Sequence, residues 1–237
     1  MMHGSTRLRL PAMQEALAIW LASFLAILGS TVFFRGHAKL IATVCFLYLP
    51  LLAMHSRGED YRDYGVTLRR WREDLKLAAL LFALVVPLYF AAYLLFAQLL
   101  AHLPRSVAAY VWPYPLAAHF RPKVPAKFEL WVIDQLFVVA LPEEFFYRGF
   151  IQTRLRDALP QGRRFFGARL GPAFFLTAAL FALGHLAVFD VSRLAVFFPA
   201  LLFGWLRERT GTVVGACLLH AACNLYELTL RTSFFGP

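Results

Sequence analysis

Charge is scarce in this chain. Of its 237 residues only 16% are Asp, Glu, Lys or Arg, against about 25% in average proteins, while 60% are hydrophobic. With a mean hydropathy of +0.60, a water-soluble domain is excluded. Cysteine is nearly missing. Cys45, Cys217 and Cys223 all sit in apolar segments and form neither a CxxC pair nor a Cys/His metal spacing, so no disulfide framework or zinc knuckle follows. There is no internal repeat and no low-complexity tract. Acidic residues are outnumbered, 14 against 24 Lys and Arg, giving a net charge of +10. Those positives are scattered over many loops rather than gathered on one face, which argues against a nucleic-acid partner and for orientation in a lipid bilayer.

What is present is a series of apolar runs approaching the ~20 residues that cross a bilayer as helix. The first, Ala16–Phe34, follows Arg7 and Arg9 in the charge order of a signal peptide, but exceeds the usual apolar core of one and reads as a retained span. Further runs fall at Leu40–Met54, Leu77–Leu103 with a possible kink at Pro87, Val132–Ile151, Gly171–Val191, Arg193–Leu206 and Thr212–Leu230. The expectation is an all-α, polytopic transmembrane bundle of about seven spans, the second and sixth short. Between them, His55–Lys76 holds six basic and five acidic residues and reads as a solvated cytoplasmic face or interfacial helix. Pro104–Lys127, with Trp112, Tyr114 and Phe120, reads as an interfacial or re-entrant loop. Residues 1–128 then form an N-terminal unit of spans and loops, and residues 129–237 a helical core. Placing the N-terminus in the cytoplasm puts 16 of the 24 Lys and Arg on the inner side.

The anomaly lies in the fourth run, VIDQLFVVALPEEFFYRGFI, which puts Glu143, Glu144 and Arg148 at mid-length of a spanning helix. At roughly 2.5–3.5 kcal/mol each, three ionisable residues cost about 8–10 kcal/mol, and the eleven Val, Ile, Leu and Phe return only about 5. Lipid exposure is therefore excluded, and the segment must face a bundle interior or a water-filled cavity. Residues four apart share a helix face, so Glu144 pairs with Arg148. Glu143 points about 100° away and has no intrahelical cation, which suits a general base better. Pro142 cannot donate to the carbonyl of Val138 and should loosen the helix there, admitting water or a substrate backbone.

Two further spans carry polar residues at similar depth. His185 follows Phe181 by one turn in FALGHL, and His220 and Asn224 lie one turn apart in HAACN. With the spans centred near Ala140–Leu141, Phe181 and Ala221, Glu143, His185, His220 and Asn224 fall within roughly 6 Å of the midplane at 1.5 Å per residue. A lone His in a span is more often an interhelical hydrogen-bonder; four polar side chains at one level favour chemistry.

Read in order as EExxxR, FxxxH and HxxxN, these residues resemble the three motifs of the CPBP intramembrane endopeptidase family, also called Abi or CAAX-protease-like, of the glutamic type. The resemblance runs over about residues 130–226, through LPEEFFYRGFIQTRL and FGWLRERTGTVVGACLLHAACN. It implies a membrane enzyme that hydrolyses a peptide bond. Glu143 would be the catalytic glutamate, His185 its partner in activating water, His220 and Asn224 the oxyanion donors, and Glu144 with Arg148 their support. The expected substrate is a membrane-associated protein or peptide carrying a C-terminal tag, a CAAX-like end or a propeptide. No cofactor is expected, since HExxH is absent, although Glu143, His185 and His220 leave a zinc site open. A transporter or proton relay would use the same mid-membrane residues, but should show paired halves, and none are visible. A short chain with brief loops suggests a bacterial inner membrane.

Overall fold

The computed structural model describes residues 9–34, 36–111 and 120–235. Its elements are α1 (Arg9–Phe33), α2 (Ala38–Arg57), α3 (Trp71–His102), α4 (Arg105–Val111), a composite helix α5 (128–158), a hairpin of β1 (Arg163–Phe165) and β2 (Ala168–Leu170), α6 (Pro172–Gly184), α7 (Phe197–Thr210) and α8 (Val214–Phe235). Two 3-10 turns, His185–Val188 and Val191–Val196, join α6 to α7. The protein is an all-α membrane bundle, as the composition requires.

Local chemistry sets the boundaries. Gly58 and Gly211 end α2 and α7 in the left-handed region, at φ 64° and 78°, a conformation that costs glycine least. Pro172 opens α6, where its missing N–H would have no helical partner anyway. The hairpin was not expected from the sequence. Its two loop residues, Phe166 and Gly167, both have positive φ, as a primed type I turn needs, and the register pairs Arg164 with Arg169.

Three helices are long and apolar enough to span by length and composition: Pro11–Phe33, Ala38–Arg57 and Trp71–His102. The expected seven is not reached on that criterion, for physical reasons particular to each remaining helix. Helix α5 carries charge at mid-length, and α6 and α7, with 13 and 14 residues, are only about 20 Å long against a hydrocarbon core of about 30 Å. Helix α8 has the length, 22 residues, but its His220, Asn224, Glu227 and Arg231 lower its hydropathy. The short second run lengthens into the 20-residue α2.

Packing is organised around α5 and α8. Helices α1 and α2 cover α5 through Phe46, Phe146, Tyr147 and Phe150, while α8 runs between α3 and α7 and against the first half of α5. The segment His55–Lys76 is not simply a solvated face. Tyr64 is buried, the N–H of Val213 donates to the carbonyl of Gly65 at 3.0 Å, and Asp74 is wholly buried in the first turn of α3. Thr212 Oγ1 donates to Asp74 Oδ2 at 2.7 Å and accepts from Val214 N at 3.3 Å, so it caps α8 while tying it to α3. The negative charge also lies at the positive end of the α8 dipole. Trp112 and Tyr114, with His119, fall outside the described residues. Within the same Pro-rich segment, Arg121 N and Lys123 N donate to Ser233 on α8, and Phe120 packs 4.8 Å from Phe234.

At one end of the bundle Glu15, Arg57, Glu59 and Arg154 join α1, α2 and α5, with Arg57 Nη2 2.7 Å from Glu59 Oε2. The hydrogen bond from Arg57 holds the Glu59 carboxyl below its usual range. A depressed carboxylate contributes stability above its unfolded pKa of about 4.3, and that contribution is lost as pH falls through the depressed value. The thermal midpoint in detergent should therefore drop on acidification below about pH 4.3, and Glu59→Gln should flatten that dependence. Asp74→Ala, which strands the Thr212 hydroxyl, should cost about 2 kcal/mol in the same unfolding measurement.

Candidate active site

Two π-helical stretches, Asp134–Ala140 and Phe145–Ile151, flank the four α-helical residues Leu141–Glu144 within α5. Such one-residue-wider turns are rare and frequent at functional sites. Pro142 sits between them, and the carbonyl of Val138, to which residue 142 would donate in an α-helix, accepts instead from Thr43 Oγ1 of α2 at 3.0 Å. The loosening expected at Pro142 is thus closed at that carbonyl by a neighbouring helix rather than left to water.

Glu144 and Arg148, both fully buried, form the expected four-residue pair, Arg148 Nη1 donating to Glu144 Oε1 at 3.2 Å. Arg148 Nη2 donates to the carbonyl of Ala200 at 3.1 Å, and the guanidinium lies 4.4 Å from the Phe181 ring and 5.3 Å from Phe203. Cation–π contact of a desolvated guanidinium is worth about 2 kcal/mol, which offsets part of its burial. The same Glu144 oxygen accepts from His220 Nδ1 at 2.8 Å. Across the ring, His220 Nε2 lies 3.9 Å from Glu143 Oε2, so the imidazole stands between the two carboxylates. Phe203 stacks flat on it at 4.8 Å.

His185 does not sit in mid-helix. Helix α6 ends at Gly184, and His185 opens the following 3-10 turn. Its Nδ1 lies 2.8 Å from the carbonyl of Phe181. A carbonyl only accepts, so Nδ1 carries the proton and, in the neutral ring, Nε2 is the lone-pair nitrogen. Phe181 lies 4.8 Å from His185 and 5.9 Å from His220, bridging the two imidazoles, and the charge of Glu143 acts on His185. Asn224 is the outlier among the expected residues: one turn beyond His220, it donates to Gln135 Oε1 at 2.9 Å.

The buried atoms Glu143 Oε2, Glu144 Oε2 and Arg148 Nε have no hydrogen-bond partner among the described residues. Buried polar atoms are rarely orphaned, and such a cluster is suited to bound water or a polar substrate group. Among those residues no three His, Cys, Asp or Glu are grouped so as to hold a metal ion.

Residues outside the three motifs complete the site. Arg207 Nε donates to the carbonyl of Arg148 at 3.2 Å and Gln152 Nε2 to Glu208 at 2.8 Å, fastening the second π stretch to α7. Trp20 of α1 donates to the carbonyl of Leu180 at 3.1 Å and also reaches the Tyr147 hydroxyl, beside the end of α6. The insertion arithmetic applied to Glu143 would have singled out Gln135 and Asp134 as well, since they interrupt the same apolar run. Trp20 and Thr43 carry no comparable signal, being ordinary residues of spanning helices.

A helical bundle that gathers two carboxylates, a guanidinium and two imidazoles holds the groups that hydrolysis inside a membrane would need. Residues 125–226 match the family model described as Type II CAAX prenyl endopeptidase Rce1-like. That segment, less than half of the chain, is similar to this family of membrane peptide hydrolases, which is consistent with the wider CPBP grouping. No curated protein and no solved structure matches the chain.

A Cβ on Gly184 would lie 2.4 Å from the hydroxyl oxygen of Tyr147, a side chain that is itself buried. Gly184→Ala should therefore displace the end of α6 and the adjacent His185, at about 1–3 kcal/mol and a tenfold or greater loss of peptide cleavage. Adding Tyr147→Phe, which deletes the clashing atom, should recover most of the lost stability in thermal unfolding.

Proposed function

We propose that the chain hydrolyses a peptide bond near the C-terminus of a membrane-associated protein or peptide, with a CAAX-like end as the substrate class, using a water activated by Glu143 and His185. The observation that carries this reading is the orphaned Glu143 Oε2, buried yet 3.9 Å from His220 Nε2 and electrostatically coupled to His185. The Glu143 carboxylate, which forms no ion pair with a residue of its own helix, can take one proton of a water, and the Nε2 lone pair of His185 is free to accept the second. Attack on the scissile carbonyl then places negative charge on an oxygen that needs donors.

His220 and Asn224 are assigned to that oxygen. Because Glu144 holds the Nδ1 proton of His220, Nε2 can donate only when the ring is imidazolium, and the two flanking carboxylates supply its counter-charge. Glu144 and Arg148 position the ring rather than touch substrate. After collapse of the tetrahedral intermediate, the proton held by Glu143 or His185 passes to the leaving amine. The reaction is proposed as metal-free. The N-terminus is assigned to the cytoplasmic side, where 16 of the 24 Lys and Arg then lie, and the membrane to a bacterial inner membrane.

The test uses purified protein in nanodiscs with a fluorogenic, lipid-anchored peptide ending in a CAAX-like tag. Wild-type protein should cleave it in the presence of a strong chelator, and Glu143→Gln should lose at least a hundredfold in kcat with its thermal midpoint retained. Activity abolished by chelator and restored by zinc would overturn the metal-free route, and full activity in Glu143→Gln would overturn the assignment of the base.

A further inference from the structure

We infer that a polar chain crossing the bundle, Lys39–Asp134–Gln135–Asn224, sets the orientation of the Asn224 amide, and that Gln135 is a positioning residue for the reaction. The inference rests on the oxyanion role proposed for Asn224 and adds what makes that role geometrically possible.

The direction of the chain follows from which groups can donate. Lys39 of α2 is ion-paired with Asp134 Oδ1. The other carboxylate oxygen, Oδ2, accepts at 3.0 Å from the side-chain amide of Gln135. An ionised carboxylate has no proton to give, so Gln135 must present its NH2 to Asp134 and its Oε1 to the opposite side. Asn224 meets that oxygen at 2.9 Å, and two amide oxygens cannot bond to each other, so Asn224 must donate. Each amide is thereby locked against the flip that would exchange its oxygen and nitrogen. One N–H of Asn224 is spent on Gln135, and the second is left facing away from it, with no partner among the described residues.

An unanchored asparagine offers an incoming carbonyl oxygen either a donor or a repelling oxygen. The chain removes the second option before substrate arrives, which is the preorganisation that oxyanion stabilisation depends on. The ion pair with Lys39 fixes the Asp134 carboxylate, and Asp134 in turn holds Gln135 in one sense. Lys39 comes from α2, outside residues 125–226, so the N-terminal half contributes to the geometry of the matched core.

Asn224 is the only asparagine in the sequence, so protein labelled with 15N-asparagine reports one side-chain NH2. In the wild-type protein its two protons should differ, one shifted downfield and slow to exchange with solvent. In Gln135→Leu that proton should exchange at least tenfold faster. With the lipid-anchored peptide, Gln135→Leu should lower kcat about tenfold at unchanged KM, because an oxyanion exists only in the transition state. Asn224→Ala should lose on the order of a hundredfold. The Gln135→Leu/Asn224→Ala double variant should be no slower than Asn224→Ala alone. Multiplicative losses in the double variant, or an Asn224 resonance pair unchanged by Gln135→Leu, would overturn the chain while leaving the oxyanion assignment standing. Unimpaired kcat in Asn224→Ala would overturn the oxyanion assignment, and the inference with it.

Discussion

The structure depends on keeping ionised groups inside an apolar bundle without leaving any of them alone. Glu144 Oε1 receives both Arg148 and His220, at 3.2 and 2.8 Å, so one carboxylate oxygen joins a cation on its own helix to an imidazole on another. Removing Glu144 or Arg148 would strand a buried charge, which is far more costly than leaving the trio intact. The aromatic rings around it follow from the same constraint. Phe181 and Phe203 exclude water while presenting their faces to the guanidinium, and Phe203 also stacks on His220. Against this paired background Glu143 stands out as the carboxylate without an intrahelical partner.

Helix α5 carries most of this arrangement and could not do so as a regular α-helix alone. Its two π stretches shift the register of successive side chains, and the backbone groups disturbed at Pro142 and Arg148 find partners on α2 and α7 through Thr43 and Arg207. The helices that contribute no motif residue are therefore part of the site. Trp20 of α1 steadies the end of α6, Thr43 closes a broken helical ladder, and Asp74 of α3 ties down the end of α8 that leads to His220. The family match begins at residue 125, yet several groups that hold the matched core in place precede it.

Much of this was legible beforehand. The membrane class followed from composition, and the Glu144–Arg148 pair from a spacing of four. The order of the three motifs pointed to the hydrolase family. Depth was less legible. His185 was placed at mid-span by assuming an unbroken helix, but α6 stops at Gly184, where Tyr147 crowds the backbone. The count of seven spans included runs read as short, and α6 and α7 are short helices that lean on α8 and α5. The polar stretch His55–Lys76 looked solvated because charge usually means water, yet Asp74 and Tyr64 are buried there by partners distant in sequence. A two-residue hairpin loop of Phe and Gly lacks the Asn-Gly or Asp-Gly pair that announces such turns, so it passed unnoticed.

Sequence alone determined which groups had to be hidden. Insertion cost depends on residue type and position along an apolar run, so Glu143, Glu144, Arg148, His185, His220 and Asn224 declared themselves without coordinates. Tertiary structure alone decided which group meets which. Whether His220 turns to Glu144 or Glu143, and whether Asn224 bonds within its own helix or to Gln135, depends on how helices some 75 to 90 residues apart are laid side by side. Periodicity within one helix reports the face on which a residue lies and holds no information about the face brought against it.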